Sequence, residues 1–190
     1  TYTPTTSSDV PTYQWKRSET NIDSATASTY TLVEADITNT ITVTITADGT
    51  HATGNVTSSA TGAIAKADGP SAPSAPTLAS KTATSITLTA NSLNEFSKDS
   101  GSTWQSSEVF TSLTPITSYT FVARVKATST TNASSSSVAS ASITTEAPVM
   151  TGSVAISGTE KFGQVLTATP SLTYTPTTSS DVPTYQWKRS

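Results

Sequence analysis

The chain has 190 residues, of which 34% are hydrophobic and 12% charged; its net charge is −3 and it has no cysteine. The missing cysteines exclude a disulfide framework and thiolate metal sites. With no basic cluster beyond the pairs Lys16–Arg17 and Lys188–Arg189, the charge pattern argues against nucleic-acid binding. No run of about 18 apolar residues is present to read as a membrane span. Serine and threonine fill roughly two positions in five. That composition alone would suggest disorder, but the threonines alternate with Ile, Val, Leu and Phe. Thr is β-branched and suits a solvated strand face. The expectation is an all-β chain of thin sandwiches with hydroxylated exteriors.

Residues 1–18, TYTPTTSSDVPTYQWKRS, recur letter for letter at 173–190, an offset of 172 residues. A period of this length is too long for a solenoid unit and suits one or two domains of roughly 100 residues each. With Thr1 in place of an initiator methionine, the chain is expected to be one period, plus a short overlap, of a longer tandem array.

In chain order, Thr12–Arg17 reads as a strand carrying Trp15, whose copy is Trp187. Ser28–Leu32 is a second strand, with Tyr30 and Leu32 on one face, followed by a corner or single helical turn at Glu34–Ile37. Asn39–Ala47 has the clearest alternation: Ile41, Val43 and Ile45 point one way and Thr40, Thr42, Thr44 and Thr46 the other. Asp48-Gly49 marks a turn, and a last strand runs from Asn55–Thr57 through Ala63–Ala65.

A Pro-rich linker at Lys66–Pro76 and a break at Thr144–Val149 isolate a central block of about 75 residues. Within it, strands are expected from Pro76–Leu78; at Ser85–Thr89, with Ile86 and Leu88 inward; at Glu95–Ser97, with Phe96; and on a return arm with Trp104, after a turn at Lys98–Ser102. A long strand follows at Ser118–Lys126, with Tyr119, Phe121, Ala123 and Val125 on one face and Arg124 and Lys126 toward water. Leu113 precedes it, and Ser137–Thr144 closes the sheet. After the break, Ser153–Ser157 and Gln164–Thr169 are short strands, the latter with Leu166 and Ala168 on one face. Strands at this spacing predict sandwiches. The domain boundaries are 1–69, a sandwich lacking its first two strands; 70–147, a complete sandwich; and 148–190, the first strands of the next repeat.

Leu113-Thr-Pro115-Ile-Thr117-Ser-Tyr119 resembles the fibronectin type III pattern L-x-P-x-T-x-Y, in which the Tyr hydroxyl bonds back to upstream backbone. Ile116 stands where that pattern usually has Gly. Phe96, Asp99-Ser-Gly101 and Thr103-Trp-Gln105 resemble the variant found in bacterial surface proteins. Gly163–Ala168, Tyr13-Gln-Trp15-Lys-Arg17, Ile22, Ala25-Thr26, Tyr30-Thr-Leu32 and Asp36 resemble bacterial immunoglobulin-like repeats. The resemblance implies elongated tandem immunoglobulin-like and fibronectin type III-like sandwiches in an extracellular, non-catalytic stalk or filament on a bacterial cell surface. Direct binding of a glycan, host protein or ice by the repeats is an alternative, with Tyr2 and Tyr13 as its nameable aromatics. An accessory spacer of a secreted polysaccharide-degrading enzyme is another.

The chemistry-bearing residues give little support to catalysis. His51, the only histidine, sits at an expected hairpin tip with no second His or Cys to share a metal. No cofactor is expected; calcium at a domain junction would have Asp36, Asp68 or Glu146 as oxygen donors. No nucleophile, phosphate-loop or dinucleotide motif occurs. The alternating Thr40–Thr46 reads as a solvated face more readily than as an ice-binding one. Lys81 and Lys161 are the lysines an intramolecular isopeptide staple would use. Residues 1–69 and 148–190 each hold only part of a sandwich, so each is expected to expose unpaired edges and apolar faces, and 148–172 of one copy to complete 1–69 of the next.

Overall fold

The computed structural model describes residues 10–177 and 183–188. Its strands are β1 (Thr12–Arg17), β2 (Thr20–Asn21), β3 (Ile41–Thr46), β4 (Asn55–Thr57), β5 (Leu78–Lys81), β6 (Ile86–Leu88), β7 (Asn94–Ser97), β8 (Val109–Phe110), β9 (Ser118–Tyr119), β10 (Val122–Val125), β11 (Ile143–Thr144), β12 (Val149–Gly158) and β13 (Leu166–Thr175). One 3-10 turn, Glu34–Asp36, is the helical element among the described residues. All strand-to-strand pairings are antiparallel. The fold is all-β. The chain divides into two compact units: Thr1–Pro70 with Lys126–Ser134, and Ser71–Val125 with Ser135–Ser190.

In the second unit, β5-β6-β8 form one layer, and the pairs β7-β10 and β9-β11 form the other. Between them lie Ile86, Leu88, Phe96, Phe110, Leu113, Phe121, Ala123 and Ile143, all buried, with Phe110 and Phe121 ring centroids 4.7 Å apart. Tyr119 packs against this cluster, and its hydroxyl accepts the Thr114 N–H at 3.0 Å. This is the corner the sequence pattern implied. Val125 is half-buried at the end of β10.

Two elements of this block differ from expectation. Trp104 is half-buried and lies outside the core. Its neighbour Gln105 pairs with Phe96, so Trp104 turns to the outer face. There the Arg124 guanidinium covers its ring at 4.2 Å while Arg124 Nε donates to Glu95 at 2.5 Å. Arg124 therefore faces outward but roofs the indole, gaining a cation–π contact. The expected closing strand 137–144 is regular only at β11. Upstream, every third residue is buried: Ser134, Ser137, Ser140, then Ile143. A period of three belongs to an extended polyproline-type chain and not to a strand of period two. Side-chain hydroxyls make up the missing ladder: Ser137 Oγ accepts the Ala123 N–H at 3.0 Å and Ser140 Oγ accepts the Phe121 N–H at 3.0 Å.

Among the described residues the first unit contains a single layer, β2-β1-β3-β4. Ser58 and Thr61 clasp its β3 as Ser137 and Ser140 clasp the second unit: Ser58 Oγ accepts the Val43 N–H at 3.1 Å and Thr61 Oγ1 the Ile41 N–H at 3.0 Å. Ile41 is buried, whereas Trp15, Tyr30 and Val43 are half-buried. Ile45, expected in the core, is 38% exposed because no second layer lies over the sheet among the described residues. Ser28–Leu32 is not a strand, and Leu32 is exposed; the segment instead turns Tyr30 toward Trp15, with rings stacked at 5.8 Å.

The hairpin β12-β13 is longer than the two short strands expected, and most of its residues are exposed. Leu166, placed in the core by its alternation, is 40% exposed. Trp187 is 56% exposed. Its twin Trp15 is sheltered by pairing with Val43 and by Tyr30.

Candidate functional site

The chain's most distinctive surface is a pair of open apolar sheet faces, one in each unit. On the first, cross-strand register aligns Tyr13 with Ile45 and Val56, Trp15 with Val43, and Arg17 with Ile41. Cross-strand partners point the same way, so these seven share a face, and Thr12, Gln14, Lys16, Thr42, Thr44 and Thr57 share the other. A groove of about 470 Å³ on the apolar side is lined by Pro11, Tyr13, Ile45, Ala47, Ala52 and Val56. Tyr13, an aromatic that direct ligand binding would want exposed, is half-buried; Tyr2 lies outside the described residues.

One end of this face is fixed by Asp36, which is fully buried. Its carboxylate accepts Arg17 Nε at 2.7 Å, the Tyr30 hydroxyl at 2.9 Å and the Val33 N–H at 2.7 Å. Burial alone would push the Asp36 carboxyl up, but the hydrogen bonds from Val33, Arg17 and Tyr30 outweigh it and hold the pKa below the ordinary value. Burial, then the bond to Asp36, raises Tyr30, and the bond to Asp36 raises Arg17. Asp36 is thus a structural anchor tying the chain before β3 to the end of β1.

The second face belongs to the hairpin. Its register pairs Met150 with Tyr174, Gly152 with Leu172, Val154 with Pro170, Ile156 with Ala168 and Gly158 with Leu166. Every one of these is apolar or glycine save the Tyr hydroxyl. The alternate positions pair Thr151 with Thr173, Ser153 with Ser171, Ala155 with Thr169 and Ser157 with Thr167. One face is therefore greasy and the other hydroxylated, yet Met150, Val154 and Ile156 are all more than half exposed. Residues 183–187, the second occurrence of 11–15, lie against the greasy side: Tyr185 and Trp187 share a groove of about 300 Å³ with Met150, Val154, Ile156 and Leu172.

The titratable residues elsewhere organise loops. Asp48 accepts the N–H groups of Thr50 and His51 at 2.9 Å, and its other oxygen meets His51 Nδ1 at 2.7 Å. The backbone N–H of His51, above all, depresses the Asp48 pKa. Asp99 accepts Ser97 Oγ at 2.6 Å and Thr103 Oγ1 at 2.5 Å across the β7 turn, and those bonds depress it likewise. Lys81 Nζ donates to the Thr144 carbonyl at 2.7 Å. Among the described residues no three His, Cys, Asp or Glu side chains converge as a metal site would require, and no helix is long and apolar enough to cross a membrane.

The hydroxyl clasps are the feature that sequence reasoning missed. The signal was present as S-x-x-S-x-x-I at Ser137, Ser140 and Ile143 and S-x-x-T-x-x-I at Ser58, Thr61 and Ile64, a spacing of three in place of two.

No family model matches the chain, and no curated protein matches it. Among solved structures, the crystal structure of titin domains A168-A170 resembles it at 16% identity with a TM-score of 0.34, covering 72% of this chain and 55% of that one. The chain thus spans just over half the length of that match.

Proposed function

We propose that the chain is one period of a non-catalytic structural repeat, a spacer in an extracellular, stalk-like protein of a bacterial cell surface, completed by neighbouring repeats. The observation that carries the reading is the eighteen-residue duplication at an offset of 172, which on this reading divides one sandwich between successive periods. Each period then supplies a whole sandwich and two complementary parts of another. The hydroxylated outer faces suit a chain crowded by near-identical neighbours. Arrays of two, four and eight periods test the reading by electron microscopy of single molecules. Contour length is expected to rise by a constant increment per period; compact particles whose length does not follow copy number would sink it. Protease accessibility of the parent protein on intact cells tests the location: shaving is expected to release these repeats without lysis.

A further inference from the structure

We infer that the hairpin β12-β13 is the missing layer of the first unit's sandwich, and that a second copy of this repeat supplies it, with β13 pairing alongside residues 28–32. The proposal rests on the repeat reading for its choice of occupant and on the two units' common wiring for its geometry.

In the second unit the chain runs β5, β6, β7, β8, β9–β10, then the hydroxyl clasp. β7 pairs β10, the clasp closes onto β10, and β8 pairs antiparallel with β6 in the opposite layer. The first unit follows the same order from its third strand: β1 pairs β3, and Ser58 and Thr61 clasp β3. The segment standing where β8 stands is 28–32. The strands standing where β5 and β6 stand would precede β1, and in the repeat the residues that precede this segment are β12 and β13.

Three observations agree with that assignment. Residues 28–32 make no backbone-to-backbone hydrogen bond among the described residues, as expected of a strand whose partner is absent. Ser58 and Thr61 are exposed whereas Ser137 and Ser140 are each 7% exposed, because among the described residues the second pair alone has a facing layer. The hairpin's apolar side already carries residues 183–187, identical to 11–15 of β1 and its approach, so the surface that meets Tyr13 and Trp15 in a closed sandwich is the one that meets Tyr185 and Trp187 here. Apposed apolar faces about 10 Å apart would form a sandwich core, and β13 would satisfy the edge at 28–32.

The test uses the full chain in two variants. Ile156→Asp spoils the hairpin face and Ile45→Asp spoils the sheet face; both positions are exposed, and near-UV circular dichroism checks that each variant keeps its tertiary signal. Sedimentation of the wild type is expected to show concentration-dependent head-to-tail association, weakened about tenfold or more in either variant alone. Mixing the two variants should give a one-to-one heterodimer that grows no further, since one intact hairpin and one intact sheet remain. Hydrogen exchange should then show protected amides at 29–32 in the Ile156→Asp chain of the mixture. Ser157→Asp, on the hydroxylated side, should associate like the wild type. Monomers at every concentration, failure of the mixture to dimerise, or equal weakening by Ser157→Asp overturns the proposal. Protected 29–32 amides in a strict monomer would mean the hairpin folds onto its own chain and would equally overturn the choice of a second copy. None of these readouts depends on array length, so a compact array would refute the stalk while leaving this interface standing.

Discussion

Ser140 and Phe121 exchange two hydrogen bonds although they do not sit in a regular ladder. The Ser140 N–H donates to the Phe121 carbonyl at 2.8 Å, and the Phe121 N–H donates to Ser140 Oγ at 3.0 Å. Ser140 Oγ in turn donates to the Ala141 carbonyl at 2.8 Å. A side chain has taken the place of a backbone carbonyl, so a serine in this extended closing segment completes the layer as a peptide group would.

Ser140→Ala should therefore behave as a core mutation. It leaves the buried Phe121 N–H without its acceptor, at a cost of about 1–3 kcal/mol. Ser58→Ala, the same deletion at an exposed clasp, should cost less than about 1 kcal/mol because water replaces the hydroxyl. Urea denaturation monitored by hydrogen exchange in each unit distinguishes the two; equal costs would refute the clasp as the origin.

Asp36→Asn removes the charge from a fully buried carboxylate that anchors Arg17, Tyr30 and Val33. Loss of one member of such a buried cluster costs about 3 kcal/mol. Because the folded carboxyl titrates below its ordinary value, its contribution is complete above the unfolded carboxylate pKa of about 4. It is lost as pH falls through the lower folded value. Denaturation midpoints of wild type and Asp36→Asn, followed by Trp15 fluorescence from pH 7 to pH 2, should converge at the acid end.

Ile116 has φ +52 and is 67% exposed, so a β-branched residue occupies the left-handed region with no packing in return. Ile116→Gly should raise the stability of the second unit by about 1 kcal/mol. A lower thermal midpoint for the variant would show that the turn is relaxed as it stands.

Thr42 is 5% exposed, and its hydroxyl has no partner among the described residues. The near-isosteric Thr42→Val deletes an unpaired buried polar group, so stability should rise by about 1 kcal/mol. Guanidinium denaturation of the two proteins measures this directly, and a loss of stability would reveal a partner for the hydroxyl.

Much of this fold was legible because alternation is a strong signal wherever one face is buried. Ile41, Val43 and Ile45 in β3, and Tyr119, Phe121 and Ala123 around β10, point as their spacing dictates. What failed did so for identifiable reasons. Ser137–Ser142 contains β-compatible residues, but its inward positions repeat every third residue. Residues 28–32 have strand composition but no neighbour, and a strand is a property of two segments. Trp104 and Trp187 show that a bulky apolar side chain on a strand-like segment need not enter a core: one sits beneath Arg124 and the other at the rim of a hairpin groove. The open faces were foreshadowed by the duplication, which no single-residue pattern could convey.

The clasps bear on how such chains remain separate. A true edge strand offers alternate free N–H and C=O groups in the spacing a stranger's strand can read. A segment whose inward side returns every third residue offers its outward amides at the wrong interval and in varying directions. The flank of each unit sealed by Ser137 and Ser140, or by Ser58 and Thr61, is therefore illegible to a foreign strand. Misjoining along that flank is suppressed without the lysines or prolines that usually guard an edge.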